Sequence, residues 1–186
     1  MTTIIITVLV LVAVAGVVIY NRLIRSRNRV STAWSDIDVQ LQRRHDLVPR
    51  LVKAVDQYAQ YERATLEAVT ELRAEAMQQA DVRARGKAEE NLSVGIERLI
   101  ALAESYPDLK ANENFLNLQN ELVETENYLQ FARRYYNGSV RDYNTLIESV
   151  PSNIVASLFG FTQRDFFQRA SDEAANVPLA KFGTVE

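Results

Sequence analysis

Nothing in the first twenty residues carries a charged side chain, and this uncharged stretch restricts the fold more than anything after it. From Thr2 to Tyr20, at ~1.5 Å per helical residue, the chain reaches roughly 28 Å, about the thickness of the hydrocarbon core of a bilayer. Thr2, Thr3 and Thr7 are the polar side chains near its start, and nothing ionisable interrupts it, so it suits a tether rather than a path for ions or solutes. Ala13, Val14 and Ala15 resemble a small-residue cleavage site. No basic stretch precedes them, however, and the apolar run continues through Val17, Val18 and Ile19, so the segment reads as a retained anchor.

The charges that follow set an orientation. Arg22, Arg25, Arg27 and Arg29 come directly after the apolar run, which places the remainder of the chain in the cytoplasm and the N-terminus outside. The same four arginines are candidate contacts for anionic lipid headgroups, at roughly 1 kcal/mol each. Between residues 21 and 60 there are eight Lys or Arg against four Asp or Glu, and from Tyr61 onward thirteen against twenty. The basic end is therefore juxtamembrane, and the acidic remainder would repel nucleic-acid phosphate.

Beyond the arginines an apolar stripe runs through Val30, Trp34, Ile37, Leu41, Val48, Leu51, Val55, Tyr58, Val69, Leu72 and Ala76 in steps that suit one helical face. No glycine lies between Gly16 and Gly86, so the anchor is expected to continue as one helix to about Met77, kinked at Pro49. A turn at 79–86 lets Asp81 cap a second helix to about Ser105. Tyr106 to Asn112 breaks it, and a third helix extends to about Ser149 with Leu118, Leu122, Leu129, Phe131, Tyr136, Val140 and Tyr143 among its inward residues. Ser152 starts a short helix that Gly160 ends, and Thr162 with Asp165 forms a weak capping box before Phe166 and Phe167, followed by a loose tail past Ser171. No period-two alternation calls for a sheet.

The fold class is thus all-α, an anchor over 1–21, an antiparallel helical bundle over 22–160, and a short helix and tail over 161–186. Three long helices joined by short connections run away from the membrane, back and away again, which puts the phenylalanine-rich end at the far end of the bundle. There, Phe159, Phe161, Phe166, Phe167 and Phe182 either seal the core or form an interaction surface.

Catalytic chemistry finds little support. With no cysteine and one histidine, His45, disulfide, thiolate and di-metal bundle chemistry lack their ligands. Gly86-Lys87 lacks the rest of a phosphate loop, and His45 beside Asp46 reads as structural because neighbouring helical residues point different ways. We expect no enzyme activity and no cofactor. The unusual constellation is a seven-residue echo, Arg134-Tyr135-Tyr136-Asn137 and Arg141-Asp142-Tyr143-Asn144, with Glu126 one heptad before Arg133. Glu126, Arg133, Tyr136, Asn137, Arg141, Tyr143 and Asn144 form a polar strip that either binds a small ligand or partner helix, or satisfies itself inside the bundle and fixes register.

Three blocks carry a resemblance to the LemA family of bacterial membrane proteins over nearly the whole chain. They are Ala33, Trp34, Asp36, Val39, Gln40, Leu41, Arg44, Asp46, Leu47, Val48, Pro49 and Leu51; then Glu104, Tyr106, Pro107, Leu109, Lys110, Ala111 and Asn112; then Glu121, Leu122, Thr125, Glu126, Asn127, Ala132, Arg133, Tyr136, Asn137, Tyr143 and Asn144. Arg50 stands where the family more usually has asparagine. The resemblance implies a short external N-terminus, one membrane helix and a cytoplasmic helical bundle at the bacterial inner membrane. It points to membrane organisation and implies no established activity. The expected role is a non-enzymatic scaffold that self-associates as a homo-oligomer or recruits other proteins, with a ligand-binding adaptor as the alternative.

Overall fold

The computed structural model describes residues 1–59 and 61–167. Among them are six helices and no strand: α1 (Thr2–Asp56), α2 (Arg63–Gln78), α3 (Val82–Ala103), α4 (Pro107–Lys110), α5 (Glu113–Glu148) and α6 (Ser152–Leu158). The chain divides into two compact units. One comprises Met1–Arg44 and Glu121–Phe166, the other His45–Asn120 with Phe167.

In the first unit, α1 begins bare. No residue before Leu23 is buried, and Ile4, Leu9 and Val12 are each about 60 % exposed or more, at 68 %, 63 % and 64 %. A run of this hydropathy with nothing packed on it is long and apolar enough to cross a membrane. Packing starts abruptly at Leu23 and continues through Val30, Ala33, Ile37 and Leu41, in steps that hold one helical face. Leu122, Leu129, Tyr136, Val140 and Tyr143 supply the buried stripe of the later part of α5. Two contacts give the direction of the pair: Arg43 meets Glu124 at 2.8 Å, and the Trp34 ring lies 5.4 Å from that of Tyr136. Residue number falls on α1 as it rises on α5, so the two run antiparallel.

That direction corrects the expected path. The phenylalanine-rich stretch lies beside the root of the anchor: the Tyr20 ring is 4.8 Å from Phe159 and 5.8 Å from Phe161. The single helix expected from the anchor to Met77 is broken at 57–62, where the amides of Tyr58 and Ala59 both close on the carbonyl of Val55. One extra reversal turns "away, back, away" into a path whose last long helix returns. Phe131, expected inside, is 62 % exposed beneath the Arg134 guanidinium at 4.7 Å, while Arg133 takes the buried position.

In the second unit, α1 continues through Pro49 to Asp56. Proline removes the amide that would bond the carbonyl four residues back, which is that of His45. Arg73 of α2 replaces it, its Nε donating to the His45 carbonyl at 2.7 Å. Helices α2 and α3 form a hairpin, close enough at Gly95 that an added Cβ would lie 2.9 Å from the end of the Leu72 side chain. Asp81 caps α3 as its sequence position suggests, accepting from the amides of Arg83 and Ala84 at 3.0 and 2.9 Å. Asn112 does the same for α5 through the amides of Asn114 and Phe115.

Helix α6 forms where Ser152 begins it and ends in a left-handed glycine. Gly160 has φ +67°, its amide bonds Ser157 and the Phe161 amide reaches back to Ala156, the hydrogen-bond pair of a Schellman cap. Residues 161–167 follow without helix, so the capping box at Thr162 and Asp165 starts no helix within them. The tail and Phe182 lie outside the described residues.

Candidate functional site

The polar strip of α5 holds the chain's own next segment. The Tyr136 hydroxyl donates to the carbonyl of Asp165 at 2.9 Å. Asn144 makes a two-way bond with Arg164: its side-chain amide donates to the Arg164 carbonyl and its oxygen accepts the Arg164 amide, both at 2.9 Å. Gln163 adds a donor to the Glu148 carboxylate. Paired side-chain and backbone bonds of this kind are how an extended strap is fixed along a helix, since both groups of one peptide find partners at once. Burial pushes the phenols of Tyr136 and Tyr143 above the usual tyrosine range, against the lowering pull of the Arg164 guanidinium on both and of Arg27 on Tyr143.

Deeper in the strip, Glu126 sits between two guanidinium groups. Arg44 of α1 is 3.6 Å away and Arg133, on the same helix as Glu126, 3.7 Å, with both arginine side chains nearly buried. Seven-residue spacing puts Glu126 and Arg133 on one face, and the shared carboxylate ties α5 to α1 at a defined register. Asn137 is half-buried and Arg141 exposed on the same helix. Of the seven strip residues, Tyr136 and Asn144 grip the strap, Glu126 and Arg133 join the charged cluster, and Tyr143 is core at 1 % exposure.

The four juxtamembrane arginines are all exposed. Arg25 bonds the carbonyl of Asn21, and the Arg27 guanidinium lies 5.4 Å over the Phe161 ring. Together Tyr20, Phe159, Phe161 and the arginines make an aromatic and basic collar where α1 passes from bare to packed. A membrane–water boundary favours this composition, with rings at headgroup depth and cations beside anionic lipid. The sequence signal for the collar was present in both halves, but their meeting depended on the direction of α5.

The second unit contains a buried pair the sequence did not reveal. Glu89 is 0 % exposed and lies 2.7 Å from His45 Nε2. His45 is buried and Asp46 exposed, so the two adjacent side chains point apart. An open groove of about 990 Å³ runs between the end of α1 and α2, lined by Val48, Val52, Leu66 and Thr70 with Lys53 and Glu71. Among the described residues no group of three or more His, Asp or Glu is placed to hold a metal ion.

On the first unit, Tyr128, Phe131 and Tyr135 are 50 %, 62 % and 54 % exposed, and their spacing of three and four lines them along one outer face of α5. Large aromatics set in a row on a surface mark contact faces more often than isolated ones do.

Comparison with known proteins gives one family and a few relatives. The model of the LemA family matches residues 33–182. A protein named magnetosome protein MamQ 2 from Paramagnetospirillum magneticum is 25 % identical over 175 residues, covering 80 % of this chain and 64 % of the relative. A magnetosome protein MamQ from Magnetospirillum gryphiswaldense is 24 % identical over 174 residues with the same coverage. Protein LemA of Metamycoplasma hominis is 26 % identical over 163 residues, covering 87 % of this chain and 74 % of the relative. The chain therefore spans less than two thirds of the length of the magnetosome relatives it matches.

Proposed function

Because this chain belongs to the LemA family, with the family's model matching 33–182, we propose that it is a non-enzymatic scaffold. It is anchored by Thr2–Tyr20 in the bacterial inner membrane, with the N-terminus outside and the helical units in the cytoplasm. The observation that carries this is the continuity of α1: a bare apolar segment passes without interruption into a stretch packed from Leu23 onward, so the anchor and the first unit share one helix. The exposed arginines after Tyr20 support the orientation.

Self-association is assigned to the outer face of α5, where Tyr128, Phe131 and Tyr135 stand exposed. Similarity to proteins named for the magnetosome supports a role in membrane organisation. The ligand-binding alternative loses ground because Tyr136 and Asn144 are engaged by residues 164 and 165. Mass measurement of the full chain in nanodiscs tests the scaffold reading. More than one copy is expected, reduced to one by F131E together with Y135E. A monomer before mutation that also captures no protein partner from native membranes would defeat it.

A further inference from the structure

We propose that α6 and its flanks form a second membrane contact, an interfacial helix whose outer face lies in the headgroup and acyl boundary of the bilayer that the anchor crosses. This rests on the reading of Thr2–Tyr20 as membrane-spanning and adds a second contact to it.

Three observations converge on lipid as the occupant. First, the outer surface here is apolar: Val150, Ile154, Leu158 and Phe159 are 79 %, 67 %, 78 % and 58 % exposed, while Ser152 and Ala156 face inward and are buried. Ile154 and Leu158, four apart, stand on one side of the helix and the buried pair on the other, so α6 is amphipathic by placement. Second, the composition is unlike a water-facing surface. Residues 149–163 contain no Asp, Glu, Lys or Arg, the longest uncharged run in the chain after the anchor. Third, the position is continuous with the anchor. Tyr20, the last residue of the apolar run, packs against both Phe159 and Phe161, and the Arg27 guanidinium lies 5.4 Å over the latter ring.

A plane through Tyr20 that keeps Arg22 and Arg27 on its wet side therefore brings α6 close to the interface. Helices of this kind bury one apolar face at the headgroup level and are held there by area and by nearby basic residues. The Gly160 cap and the 163–165 strap on α5 keep α6 from swinging away. Two attachments give the bundle a set depth and tilt, which one plain anchor helix would leave free to rotate.

The chain has no cysteine, so single labels test this directly in the full-length protein. Spin labels are placed by I154C and L158C in nanodiscs of phosphatidylethanolamine and phosphatidylglycerol, and collision rates with oxygen and with a water-soluble nickel chelate are compared. V10C serves as the lipid reference and V39C as the aqueous reference, since Val10 and Val39 are both exposed. Ratios of oxygen to nickel collisions at 154 and 158 several-fold above that at 39, and approaching that at 10, are expected. Ratios equal to that at 39 overturn the contact while leaving the anchor intact. Low rates with both reagents, together with broadening between labels on separate copies, give the face to a second protein molecule and overturn it equally. An aqueous reading at 10 brings down the anchor and this contact together.

Discussion

At the level of single residues, the clearest lesson is how a proline survives inside α1. Pro49 leaves the His45 carbonyl without its helical donor, and the Arg73 side chain supplies one from the neighbouring helix. A proline in a helix interior costs about 3 kcal/mol, part of it the orphaned acceptor. R73A should destabilise the second unit by about 1–3 kcal/mol, the range for a polar group left unsatisfied. In a P49A background, where the amide is restored, the same substitution should cost about 1 kcal/mol less. A double-mutant cycle read by denaturant unfolding checks it, and strict additivity would show that Arg73 does not substitute for the missing amide. The buried tyrosines make a second residue-level prediction. Their phenols titrate above the usual range when folded, so ionisation favours the unfolded chain. Stability from Tyr136 and Tyr143 is complete below about pH 10 and is lost as the pH climbs from there through the folded values. The alkaline unfolding of Y136F and Y143F proteins should be less steep over that window, measured by helix content against pH.

At the level of elements, the strap over 161–166 is the device that positions α6. Two backbone groups of Arg164 depend on one side chain, Asn144. N144A should therefore strip hydrogen-exchange protection from the Arg164 amide by tenfold or more while the α1 and α5 amides keep theirs; unchanged protection would mean that the strap is held by something else. Much of the element structure was legible beforehand. Asp81 announced its helix because a short polar side chain at that offset satisfies free amides, and Gly160 announced its stop because glycine alone adopts a left-handed φ at no cost. One break gave no signal: residues 57–62 contain neither glycine nor proline, yet α1 stops at Asp56. The apolar stripe keeps its phase across that gap through Val55, Tyr58 and Val69, so periodicity alone could not show the turn.

At the level of the whole chain, one reversal decides where function is sought. Counted without the turn at 57–62, the aromatic end lands far from the anchor; counted with it, Phe159 and Phe161 come to Tyr20. What the order of residues determined unaided was local and periodic: an all-α chain, a membrane-length uncharged start, a basic boundary, the caps and the buried stripes. Each depends on neighbours within a turn or two of helix, or on summed hydropathy, and those are written directly in the sequence. What tertiary structure alone decided was direction and partnership. Glu89 against His45, Glu126 against Arg44, Arg73 on the His45 carbonyl and the aromatic collar all join residues far apart in sequence. The free energy of such pairs exists only once the helices have packed, and no local pattern records it in advance.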